Sequence, residues 1–478
     1  MKKIESFTPP NSLNSSFKVT DEISKFILET QINDIPIETI TASKKSILDG
    51  IGLAISGLHS EAGSIAFTYL NNLGLPSGPA SAIGTNKKWP MRFAAFLNGL
   101  TMHADDFDDT QLAVAKDRVY GLLTHPTAPC LPAVIAASET KGVTGNDFLL
   151  AYNLGIEVET KISEAISPRH YQHGFHSTGT CGGFASAAAM SKLFDFNQEQ
   201  INNCLSITAS QSSGLRENFG TMTKPFHAGK ASESGIIAYE LTQLGFSASN
   251  NILEAPRGFF QAHGGAFDES AILGKLGDPW TFISPGISIK PHPSGSLTHP
   301  AMTAMLELIE EYNFSSDDIK KISVGTNHNM PNALIHHQPQ NEYQAKFSME
   351  YSMAILAIEG KAGLEQYQTK FVQRQDIQNM LERVDFYIDP VAEECGYDKM
   401  TSIVTIDLVN GKKISKTLDF GKGSPENPMT YDEVSEKFME CVSFVNWPIK
   451  KAREIISIIS SIEECNSLES LFSNFRVN

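Results

Sequence analysis

No apolar run in the chain approaches the roughly 18 to 20 residues of a membrane-spanning helix, which argues against an integral helical membrane protein. Paired cysteines are missing too. The six present, Cys130, Cys181, Cys204, Cys395, Cys441 and Cys465, are scattered and form no CxxC motif. That spacing predicts free thiols in a reducing cytoplasm, and neither a disulfide framework nor a zinc site. Basic residues are scarce, 38 Lys and Arg against 54 Asp and Glu, for a net charge of −16. Such a balance excludes nucleic acid and anionic membrane surfaces as partners. An anionic ligand would have to be met by a local basic cluster inside this acidic envelope. The N-terminus, MKKIESFTPPNSLNSS, has no apolar h-region, so no secretory signal is expected. Internal repeats and low-complexity tracts are also lacking.

What is present describes a globular protein too long for one ordinary core. The chain has 478 residues, 41% hydrophobic and 19% charged, so two or three domains are expected. Residues 1–18 read as a loose polar arm carrying Pro9-Pro10. From 19 to 274 the pattern is helical. Ile23, Phe26 and Ile27 open one face, and Ile47, Leu48, Ile51, Leu53, Ala54 and Ile55 a second, stopping at Ser56-Gly57. Further helices are expected over 92–104, 129–140, 146–165, 181–194, 197–211 and 230–244. Near Gly274 the texture changes. Residues 320–326, 384–388 and 402–409 alternate like strands, and the last meets 412–420 through Asn410-Gly411, a strong hairpin signal. Helices over 300–312 and 348–357 lie between. The expected fold is therefore mainly α with an α+β lid: a large all-helical domain over 19–274, and a smaller α+β domain over 275–422. Residues 423–478 return to helix and rejoin the first.

The stretch His103-Ala104-Asp105-Asp106-Phe107-Asp108-Asp109-Thr110 places four carboxylates directly after an apolar run. Charges at the end of a buried element are costly unless paired, metal-bound or lining a polar cavity. Three readings compete: a solvated helix end with capping aspartates, a magnesium site, and an acid–base site in which an aspartate orients a histidine. The magnesium reading rests on Asp105, Asp106 and Asp109, which fit the Asp-Asp-x-x-Asp pattern of diphosphate-ionising isoprenoid synthases. It needs a second acidic motif on a facing helix, and the sequence has none.

Other polar stretches fall where glycine and proline interrupt helices: His170-Tyr171-Gln172-His173-Gly174-Phe175-His176, Thr223-Lys224-Pro225-Phe226-His227, Ile289-Lys290-Pro291-His292, and Phe347-Ser348-Met349-Glu350-Tyr351. Together they supply the missing basic cluster and several groups that titrate near neutrality. In this order HADDFDDT, LTHPTAP, GFHSTGTCGGFASAAA, TKPFHAGKAS and IKPHPSGSLTHPA resemble the MmgE/PrpD family. That family contains 2-methylcitrate dehydratases, cis-aconitate decarboxylases and iminodisuccinate epimerases. The resemblance spans about 49–428. It implies a homodimer and chemistry on small polycarboxylates with no metal and no cofactor.

Carried over position by position, the resemblance implies a catalytic set of Asp106, Thr110, His125, His176 and Tyr351. Lys224, Lys290, His103 and His227 are expected to bind substrate. Two lysines can pair with substrate carboxylates and hold a flexible polyacid in one pose. They also stabilise the enolate-like charge that builds when a proton leaves carbon beside a carboxylate. His125 or His176 can give or take that proton, with Asp106 fixing the ring, Thr110 offering a hydroxyl, and Tyr351 closing the site from the other domain. Two features depart from the decarboxylases: the stretch between Thr110 and His125 is longer, and Gly295 stands where they carry a histidine. Dehydration is thus expected ahead of decarboxylation or epimerisation. A non-catalytic polyacid-binding protein is the different class, predicting tight binding without turnover.

Overall fold

The computed structural model describes residues 18–112, 123–396 and 399–476. Its larger part is helical. The helices Val19–Glu29, Ile37–Gly57, Met91–His103, Thr127–Lys141, Gly145–Ile166, Ser177–Leu193, Gln198–Ala209 and Thr223–Gln243 enclose one core, running from Val19 to Ile289 and again from Met429 to Phe475. The C-terminal helices Tyr431–Phe444 and Ile449–Ser460 return to pack on Ile37–Gly57.

Helix packing brings the polar stretches together. Thr223–Gln243 crosses Met91–His103 so closely that a side chain at Gly229 would collide with the Phe96 carbonyl. That approach sets the start of one helix, with Lys224, beside the end of the other, where Asp106 follows. This helix begins seven residues before the expected 230. Pro225 stands in its first turn, where a missing N–H costs nothing, so the proline marks a start and not a break. A further helix, Glu61–Asn72, has a weaker apolar signature and is announced mainly by its cap, Ser60, whose hydroxyl accepts from Gly63 N.

The smaller part is α+β. Its four-stranded sheet runs Val384–Ile388, Ile319–Thr326, Ser402–Leu408, Lys413–Leu418, the first pair parallel and the others antiparallel. Ser402–Leu408 alternates buried and half-buried residues as its sequence predicts. Gly411, at φ +85°, makes the hairpin turn. The helices His299–Tyr312, Met349–Glu359 and Gln375–Leu381 contribute to a second core from Ala301 to Ile414. The mainly α fold with an α+β lid is thus observed. No helix among the described residues is long and apolar enough to cross a membrane.

Candidate active site

Asp106 lies just past the C-terminal end of Met91–His103, in left-handed backbone conformation at φ +51° and almost fully buried. Aspartate tolerates this region better than most residues, and the turn aims its carboxylate inward. One oxygen accepts from the Lys224 ammonium, and the other lies 3.0 Å from Lys290 Nζ, which also donates to the Asp106 carbonyl at 2.7 Å. Burial alone would raise the Asp106 pKa, but the two ammonium groups outweigh it and hold the carboxyl far below its usual range. Burial in turn lowers the pKa of Lys290, opposed by Asp106.

Lys290 was expected from the lid and instead belongs to the helical body. Ile289 sits in the main core, and Ser288 exchanges two backbone hydrogen bonds of 2.9 Å with Thr110. The two ends of the long Thr110–His125 connection meet. Gln111–Leu112 pairs antiparallel with Leu123–Thr124, so the ladder closes the insertion at its base and returns His125 to Thr110. Thr110 Oγ1 donates to the Thr124 carbonyl at 3.2 Å. Residues 113–122 lie outside those described.

His125 is tied down on one side only. Its Nδ1 lies 2.9 Å from the Asp109 carbonyl and 3.4 Å from an Asp108 oxygen. Both are acceptors, so Nδ1 carries the hydrogen and Nε2 is bare, 3.9 Å from Asp106 and facing the cavity. Burial lowers the His125 pKa, Asp108 opposes this, and Lys224 and Lys290 add to it. A base with a depressed pKa stays neutral as pH falls through the ordinary imidazole value. The acid limb of kcat/KM, which reports the free enzyme, should therefore lie below about pH 6.5. A pH–rate profile with that limb above 7 would contradict the assignment.

The remaining expected residues separate into those that line the cavity and those behind it. Asp106, Thr110, His125, His176, Lys224 and Lys290 line it. His103 lies behind His125 with Nδ1 2.9 Å from both Asp108 oxygens, and His227 contacts His176 Nδ1 at 3.0 Å without lining the cavity. Tyr351 is not brought to the site. It is fully buried in the lid core, its hydroxyl donating to the Gln366 carbonyl. Tyr351→Phe should cost about 1 kcal/mol of stability and leave kcat/KM within about threefold of wild type, as denaturant melts and initial rates would show.

The lid contributes an apolar roof that residue types in a list of polar motifs do not reveal: Leu297, Ala333, Leu334 and Phe347, with Phe219 and Tyr171 from the helical body. Phe219 and Phe347 also hold the Lys224 ammonium 5.2 and 5.6 Å from their ring centres. Lys346 bridges lid to body through Asp105 at 3.0 Å. The space beneath the roof is about 50 Å³, enough for a water or two and far below the roughly 300 Å³ of small-molecule sites. Lifting of the lid on entry of a polyacid is the expected outcome. Spin labels at Thr221→Cys and Asn332→Cys, with Cys395→Ser and Cys465→Ser, should show a distance distribution that shortens and narrows on saturation with tricarballylate. An unchanged distribution would mean a rigid pocket.

The Asp-Asp-x-x-Asp carboxylates do not converge. Asp105 turns to Lys346, Asp106 to the two lysines, and Asp109 to Thr127, whose hydroxyl donates at 2.6 Å. Burial raises the Asp109 pKa to about 7. A different set, His103, Asp106, Asp108 and His125, brings donor atoms within 4.8 Å of one another. The two carboxylates are already engaged, Asp106 by two ammonium groups and Asp108 by His103. A divalent cation there would sit beside two positive charges, so this donor set does not fit a metal.

The site thus combines two buried lysines, a cavity-facing imidazole nitrogen and an apolar roof. The chain belongs to the MmgE/PrpD family, whose N-terminal domain matches residues 21–270 and whose C-terminal domain matches 292–464. It is similar to proteins named cis-aconitate decarboxylase. The human protein is 24% identical over 469 residues, covering 95% of this chain and 94% of its own. That of Aspergillus terreus is 24% identical over 483 residues, covering 96% of each.

Proposed function

We propose that the chain is a metal-free lyase for a small di- or tricarboxylate, removing water from a hydroxy acid in the manner of a 2-methylcitrate dehydratase. The observation that carries this reading is the bare Nε2 of His125 beside two buried ammonium groups that converge on one carboxylate. A substrate carboxylate entering here shares the ammonium hydrogens now held by Asp106. His125 Nε2 takes a proton from the neighbouring carbon, and the C–H electron pair becomes the new C=C bond as the C–O bond to the hydroxyl breaks. Charge on the carboxylate oxygens is met by Lys224 and Lys290 in a water-poor site. The hydroxyl leaves as water, taking up the proton that His125 acquired.

The relatives' names favour a second reading, decarboxylation of cis-aconitate. There the C–CO₂ bond breaks first and the carbanion must be given a proton, so His125 would have to start charged. Its depressed pKa favours removal of a proton over delivery, and epimerisation would share that first step. A homodimer in a reducing cytoplasm completes the proposal, and the six free cysteines agree with the compartment.

Incubating EDTA-treated protein with 2-methylcitrate, citrate, cis-aconitate and iminodisuccinate, followed by proton NMR, tests the reading. Loss of water from a hydroxy acid is the expected result. Conversion of cis-aconitate alone to itaconate would establish the second reading. Tight binding without turnover of any of the four would make the protein a polyacid carrier.

A further inference from the structure

His227 takes no part in the chemistry above, yet its Nδ1 lies 3.0 Å from Nδ1 of His176. A neutral imidazole has one N–H and one bare nitrogen. Burial, reinforced by Lys224, holds His176 well below its ordinary pKa, and the same causes bring His227 to about 4. Between two neutral rings in this contact there is a single hydrogen. If it sits on His227, then His176 accepts at Nδ1 and carries its own hydrogen on Nε2. If it sits on His176, then His176 Nε2 is bare.

Three observations bear on the choice. His176 lines the cavity, and its Nε2 is buried with no hydrogen-bond partner among the described residues. A bare nitrogen there would set a lone pair against the oxygens of a bound carboxylate, which can only accept. An N–H would donate to them. Turning the ring over would put Cδ2 in the place of Nδ1 and forfeit the contact with His227. The His176 amide is anchored to the Gly214 carbonyl at 3.0 Å, and Phe219 packs edge-on at 5.0 Å. A side chain at Gly179 would meet His227 Cβ at 2.9 Å, so this glycine leaves His227 the room to lie against His176. Finally, His125 has the opposite form, with its hydrogen on Nδ1.

We propose that His227 is a positioning residue whose Nδ1–H donates to His176 Nδ1, fixing His176 as an Nε2–H donor to an oxygen of a bound carboxylate. The two cavity histidines are thereby set apart, His125 as acceptor and His176 as donor, without any proton leaving His176. This rests on the reading of the cavity as a carboxylate site.

The test separates the two claims. Nitrogen-15 NMR of histidine-labelled, ligand-free protein reads each tautomer directly, with His176→Gln and His125→Gln assigning the signals. His176 protonated on Nε2 is expected, and a bare Nε2 would overturn the proposal whatever the protein turns over. Tricarballylate binding, measured by calorimetry, should weaken about 10- to 100-fold in His227→Leu. It should stay within about threefold of wild type in His227→Asn, whose amide places an N–H near Nδ1. Wild-type affinity in a folded His227→Leu would also overturn it. Wild-type protein that shows the expected tautomer but binds no tricarballylate would count instead against the carboxylate-site reading.

Discussion

Lys224→Ala should lower kcat/KM on the true substrate by roughly 30- to 5,000-fold, the equivalent of about 2 to 5 kcal/mol. The ammonium group is buried against Asp106 and beside the rings of Phe219 and Phe347. Its removal has two consequences. A substrate carboxylate loses its partner in a place where water cannot substitute. Asp106 also keeps a buried negative charge with only Lys290 to balance it, so repulsion of the incoming anion is added to the lost attraction. Lys290→Ala should act in the same direction. Lys44→Ala is the matched control, because Lys44 bonds Glu463 at 2.8 Å and does not line the cavity. Steady-state kinetics on the three variants decides the matter, and wild-type kcat/KM in Lys224→Ala would remove the anion clamp.

His125→Gln should reduce kcat by about 10²- to 10⁴-fold with a much smaller change in KM. Glutamine fills similar space and places near the position of Nε2 an uncharged amide that cannot take up a proton, so the lysine cluster remains. What disappears is the one cavity-facing nitrogen whose hydrogen-bond partners require it to be bare. A loss in KM alone would place His125 with the binding groups and leave the proton to another residue.

The sequence and the structure agree where periodic apolar faces decide the outcome. The helix expected over 146–165 is observed as Gly145–Ile166, and the Asn410-Gly411 hairpin joins Ser402–Leu408 to Lys413–Leu418. They part where local chemistry has two meanings. Pro225 reads as a breaker until its place in a first turn is known. Tyr351 shares a motif with Phe347, which lines the cavity, but helical spacing cannot say which way its hydroxyl points, and it points into the lid core. Lys290 follows the helical domain in sequence and was assigned to the next one. The backbone pairing of Ser288 with Thr110 is a long-range contact that no local pattern announces. The apolar roof was invisible for a similar reason, since Leu297, Ala333 and Leu334 look like any core residues until the lid places them over charge.

The most direct measurement is deuterium uptake. Wild-type protein stripped with EDTA and incubated in ²H₂O with the unsaturated product of the dehydration should run the elimination in reverse and place solvent deuterium at the carbon beside a carboxylate, and His125→Gln should place almost none. Uptake by His125→Gln at the wild-type rate would contradict the account, as would uptake that ceases on chelation and returns with Mg²⁺.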